Sequence, residues 1–150
     1  MAKKRLREMT WKDYGISKYR YRELKNFCLQ YQEKKEQISY GLTSHEPAEV
    51  HSGRISRPTE NQAISNSPYI QDCLMIERAA AAASREIAPW ILVSVTEDLN
   101  YEELEYHPEL GRIPINRFDF YGVRRLFYSI LDKKRKENKN GAQIEHLSML

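Results

Sequence analysis

The sequence predicts an all-α protein: a helical bundle with a helix-turn-helix-like module near its C-terminal end and a basic N-terminal helix joined by a flexible linker. Three observations carry that expectation. Apolar residues recur at helical spacing in several long windows, and Ser or Asn stands directly before those windows as a cap. The one window rich in β-branched residues, 90–95, finds no second such window to pair with as a strand. With 150 residues, 41% of them hydrophobic, the chain has material for one domain, or for a small domain with an arm.

Residues 15–38 place Leu24, Phe27, Cys28, Tyr31 and Ile38 on one helical stripe, with Ser17 as its cap. Lys18, Arg20, Arg22, Lys25, Lys34 and Lys35 occupy the other faces. Periodicity then disappears over residues 39–58, which hold two Gly, two Pro, two His and four Ser, so this stretch reads as a linker. Thr59 and Glu60 resemble a helix start. Ser67 before Pro68 is a stronger one, because proline suits the first helical position. The Ala-rich stretch 68–88 is expected to be the longest central helix. Pro89 should kink or restart it, leaving Trp90, Ile91, Leu92, Val93 and Val95 at the centre of the core.

The net charge of +3 conceals an uneven distribution. Residues 1–40 carry 11 basic and 5 acidic side chains, residues 41–110 carry 4 and 12, and residues 111–150 carry 9 and 4. Two basic ends around an acidic middle suit a polyanionic partner, or serve only to keep the protein dissolved.

In the C-terminal part, Asn100 can cap a short helix, YEELEY, and residues 107–114, HPELGRIP, supply a turn. Asn116, with Asp119 three positions on, can cap a second helix with Phe120, Val123, Leu126, Phe127, Ile130 and Leu131 on its inner face. Phe118, Tyr121, Gly122, Arg125 and Ser129 then fall opposite, with Arg117 and Arg124 at the edge. A short helix, a turn and a longer helix that shows Arg and Tyr is the layout of a duplex DNA reader. Guanidinium groups bind guanine edges or phosphates, and Tyr bonds phosphate or packs on sugar. The candidate DNA-binding residues are Arg117, Tyr121, Arg124, Arg125 and Ser129, with Lys133, Lys134 and Arg135 in a basic stretch suited to backbone contact. A helical hairpin packed on the core would produce the same pattern. The turn is also longer than the usual three or four residues, and Gly122 weakens the helix by about 1 kcal/mol relative to Ala.

Residues 14–31 (YGISKYRYRELKNFCLQY), 58–64 (PTENQAI), 89–104 (PWILVSVTEDLNYEEL) and 118–135 (FDFYGVRRLFYSILDKKR) together resemble small phage and prophage proteins of Gram-positive bacteria. These are grouped with the RinA and ArpU types of late-gene transcriptional regulator. The resemblance implies a C-terminal segment like a divergent sigma-factor region four, with its first helix beginning at residues 101–104 and its reading helix at 115–117. It further implies a DNA-binding regulator in the cytoplasm of a bacterial host, whose acidic middle is open to RNA polymerase or to a second copy of the chain. The chain departs from the pattern in a longer turn with two prolines and in a reading helix bulkier in aromatics.

Other classes find little in the sequence. The longest uncharged apolar stretch, 87–96, is half of what a bilayer requires, and no apolar region follows the basic start, so neither a membrane span nor a signal peptide is expected. Cys28 and Cys73 lack metal-binding spacing and read as buried thiols. His45, His51, His107 and His146 form no ligand motif; neither a metal nor a cofactor is expected. Glu102, Glu103, Glu105 and Glu109 read as a solvated face, and no phosphate-binding or nucleophile motif points to an enzyme. The alternative function is a helical phage packaging or assembly adaptor, anchored by Trp90, Phe118, Tyr121 and Tyr128. Residues 1–38 are thus the basic N-terminal helix and 39–58 the linker. Residues 59–137 are the core, with the DNA-reading module at about 98–135, and 138–150 are a disordered tail. Whether the first helix joins that core or stands apart is open in the sequence.

Overall fold

The computed structural model describes residues 4–44 and 67–148, with side chains over 4–38 and 67–138. It is all helical, and no strand occurs among the described residues. Among the described residues a 3-10 turn at Leu6–Glu8 precedes six α-helices: α1 (Lys18–Leu29), α2 (Tyr31–Ser44), α3 (Pro68–Ala83), α4 (Ala88–Glu97), α5 (Tyr101–Glu105) and α6 (Arg117–Ser148).

The helix starts follow local chemistry. The Ser17 hydroxyl accepts from the Arg20 amide at 3.1 Å, and the Ser67 hydroxyl accepts from the Tyr69 amide at 3.2 Å with Pro68 in the first turn. Helix α3 stops at Ala83, and Pro89 opens α4, where its missing N–H is no loss. The interruption makes α3 shorter than the helix expected over 68–88. The longest helix among the described residues is instead α6, which runs on through residues 138–148, where a disordered tail was expected. That stretch holds no proline and mostly residues compatible with a helix, and Gly141 costs it only about 1 kcal/mol.

Two further boundaries differ from expectation. The single helix over 15–38 is two helices meeting at Gln30, whose φ of −83° and ψ of −2° end α1. Helix α2 then continues through residues 39–44, six positions into the expected linker. The rest of that linker, 45–58, and the candidate helix start at Thr59 and Glu60 lie outside the described residues.

One core joins the chain's two ends. Leu24, Phe27, Cys28 and Tyr31 meet Cys73, Ile76, Ala79 and Ala80 of α3, Ile91 and Val95 of α4, Leu104 of α5, and Phe120, Phe127, Tyr128 and Leu131 of α6. The first helix is therefore part of the core. The apolar window of α4 is central at Ile91 and Val95, while Trp90, Leu92 and Val93 are half-buried against it. Helix α6 packs most extensively on α3, and its next largest contact is with the 3-10 turn.

Candidate nucleic-acid interface

The approach to α6 is tied down by polar contacts. Asn100 Oδ1 accepts from the Glu103 amide at 2.8 Å, capping α5, and Leu104 anchors that helix in the core. In the connection that follows, Gly111 adopts φ of 71°, and its carbonyl accepts from Trp90 Nε1 at 3.2 Å. Tyr101 Oη donates to the Ile115 carbonyl at 2.8 Å, and Tyr121 Oη accepts from the Tyr101 amide at 3.1 Å. Asn116 then caps α6 reciprocally with Asp119, accepting from its amide and donating to its carboxylate, both at 2.9 Å. A cleft of about 470 Å³ lined by Tyr101, Arg112, Ile113, Pro114, Ile115 and Asn116 lies beside this cap. Arg117 and Phe118, 70% exposed, project from the first turn of the helix.

The middle of α6 differs from the expected reading face. Arg125 donates through Nε to the Met9 carbonyl at 2.8 Å and through an Nη to the Arg7 carbonyl at 3.1 Å, so its donors serve the protein's own N-terminal segment. Ser129 is buried. Tyr121 is half-buried and committed to the Tyr101 amide. Arg124 is half-buried, its guanidinium carbon 5.8 Å from the centre of the Tyr128 ring. Arg135 stacks on Phe27 at 3.9 Å. These five residues were expected on a DNA-facing surface and instead lie within intramolecular contacts. Arg117 and Lys133 are exposed, and Lys134 lines a cleft of about 480 Å³ with Gln71, Met75, Arg78, Glu137 and Asn138. The anchors of the alternative reading divide in the same way: Tyr128 is fully buried, Trp90 and Tyr121 are half-buried, and Phe118 alone of the four is exposed.

The covering element is the N-terminal segment, and Gly122 is its seat. A Cβ at Gly122 would meet the backbone of Arg7 and Leu6 at 2.8 Å, closer than any such atom can sit. The glycine that weakens α6 as a helix is thus what lets another backbone touch it. Arg7 also pairs with Asp119 at 3.4 Å. Behind the segment, Trp11 packs on Tyr21 at 4.6 Å and on Tyr128 at 5.9 Å, which fixes its root between α1 and α6. Read alone, residues 3–9 look like a basic tail. The available signal was Gly122 itself, unexplained on a helix of otherwise large residues.

The electrostatics are graded around the helix. The acidic side is α5, where Glu102, Glu103 and Glu105 are exposed and Glu102 meets Arg117 at 3.3 Å. Further along α6, Asp132 is buried, which by itself raises a carboxyl's pKa. Hydrogen bonds and charge from Arg20 and Lys136 outweigh that burial and hold it below the ordinary value of 3.8. Both cysteines are free and buried, and burial pushes the Cys28 thiol up to about 12 despite the nearby Arg124, Arg135 and Lys34. Among the described residues no three His, Cys, Asp or Glu side chains gather as a metal site, and no helix is long and apolar enough to cross a membrane. Comparison of the chain with family models, curated proteins and solved structures finds no match.

Proposed function

We propose that the chain is a DNA-binding transcriptional regulator of the phage or prophage late-gene type, touching duplex DNA with the first turn of α6 and the connection leading into it. The observation that carries this reading is the exposed first turn, where Arg117 is held by an exposed ion pair with Glu102 and by the Tyr121 ring at 5.8 Å. Arg117 and Phe118 are exposed on a capped helix end, Arg112 is exposed in the tied connection, and a cleft opens between that connection and Tyr101 of α5. In helix-turn-helix recognition the N-terminal residues of the second helix reach the base edges, so an open first turn suffices even where the middle of the helix is covered. The acidic face of α5 then suits a protein partner, RNA polymerase or a second copy of the chain, better than DNA.

Binding of the full chain to random and phage-derived duplexes at two salt concentrations tests the reading. Salt-sensitive binding, with one fragment retained above the random background and weakened by Arg117→Ala, is the expected result. Absence of any salt-dependent affinity contradicts it.

A second reading, a packaging or assembly adaptor, draws on the exposure of Tyr106 at 87% and Phe118 at 70%. Sedimentation separates the two: a stable oligomer lost on Phe118→Ser, without duplex binding, favours the adaptor.

A further inference from the structure

A helix-turn-helix normally lays the helix before its reading helix across the phosphate backbone. Here that helix is α5, YEELE, with three carboxylates in five residues and none of them buried. Such a surface repels phosphate, yet phosphate contact supplies much of the affinity of any duplex binder. Besides Arg112 and Arg117, basic groups beside the first half of α6 come from the other end of the chain. Arg5 is exposed and has no ion pair among the described residues. Arg7 has a side chain 41% exposed, and its one ion pair among the described residues, to Asp119, is itself exposed and so readily exchanged for a phosphate.

The N-terminal segment is also fixed in place. Gly122 admits its backbone, Arg125 holds the carbonyls of Arg7 and Met9, and Trp11 locks its root. Phe118 lies on the same stripe of α6 as Gly122 and Arg125, one turn beyond the covered part. The exposed apolar end of that stripe is therefore flanked by Arg7, which pairs with Asp119 in the same turn, with Arg5 two residues away in the docked segment, and a segment ordered beforehand loses little freedom on binding.

We propose that the N-terminal segment is the phosphate-binding half of the interface, with Arg5 and Arg7 gripping the DNA backbone beside the first turn of α6 in the role that the acidic α5 cannot fill. This rests on the DNA-binding reading above. It goes further by assigning a binding site at the opposite end of the chain and by extending the DNA-contacting surface from the first turn of α6 toward residues 5–7.

The test is the anisotropy of a labelled random-sequence duplex titrated with the full chain across a salt series, with thermal melting to confirm folding. The double variant Arg5→Ala, Arg7→Ala is expected to bind about tenfold more weakly at low salt, with the slope of log affinity against log salt reduced by about two. Arg5→Lys with Arg7→Lys should retain most of the slope, since the charges remain. If the alanine double variant keeps affinity and slope while Arg117→Ala weakens binding, the inference fails and the DNA-binding reading survives. Tighter binding by the alanine variant also overturns the inference, because the segment would then be a cover. No binding by the unaltered chain at low salt ends both.

Discussion

The first turn of α6 and the middle of the same helix share one stripe, yet Phe118 stands in solvent while Gly122, Arg125 and Ser129 lie under other parts of the protein. Periodicity alone assigns all four to one open face. The difference comes from the 3-10 turn at Leu6–Glu8, whose backbone docks where the helix has no side chain and which reaches the first turn through the exposed Arg7–Asp119 pair. A polar helix face is accordingly no evidence of exposure: arginines there can bind carbonyls of a segment more than a hundred residues away in sequence, as Arg125 does with Arg7 and Met9.

The largest effect should separate two phenylalanines two positions apart. Phe120 is fully buried and meets Tyr101 edge-on at 5.5 Å, so Phe120→Ala should destabilise the fold by about 3–5 kcal/mol. Phe118→Ala should change stability by no more than about 0.5 kcal/mol. Equal losses in urea unfolding would mean that the first turn is as covered as the rest.

Arginines on the two parts of the helix should differ in the same direction. Arg125→Ala returns two carbonyls to water and removes the clasp on the N-terminal segment, for about 1–2 kcal/mol and faster tryptic cleavage after Arg5 and Arg7. Arg117→Ala breaks an exposed pair with Glu102 and a 5.8 Å contact with the Tyr121 ring, and should cost about 0.5–1 kcal/mol. Unchanged cleavage of the Arg125 variant would remove the arginine from the account of docking.

The smallest effect is acid sensitivity at the far end of the covered stretch. The folded-state pKa of Asp132 is depressed, so the stability it contributes is fully present above its ordinary value of 3.8 and lost as pH falls through the lowered value. Urea unfolding from about pH 5 downward should show Asp132→Asn less stable at the upper end and losing stability less steeply than the unaltered chain. Parallel curves would exclude Asp132 as a source of acid lability.

Features controlled within a few residues were legible in the sequence. The caps at Ser17, Ser67, Asn100 and Asn116, the restart at Pro89 and the inner stripe of α6 follow from side chains adjacent to the backbone they organise. The break at Gln30 carries no proline or glycine and shows only in its backbone angles. The candidate site was half legible. Arg117 and Phe118 are exposed as their positions implied, but Tyr121, Arg124, Arg125, Ser129 and Arg135 are engaged by partners that no local pattern encodes. Residues 4–9 carry no buried apolar group in their 3-10 turn, so hydrophobic patterning could not reveal their docking; it depends on backbone approach and carbonyl acceptors.

Unfolding of Gly122→Ala in urea tests the central claim most directly, because helix propensity and segment docking predict opposite signs. Alanine in an open helix face would raise stability by about 1 kcal/mol. A Cβ 2.8 Å from the Arg7 and Leu6 backbone must displace the segment or strain α6, so a net loss of about 1–3 kcal/mol is expected, with a lower urea midpoint and freer tryptic access to Arg5 and Arg7. A higher midpoint with unchanged cleavage would contradict the account and show the middle of α6 to be an open surface.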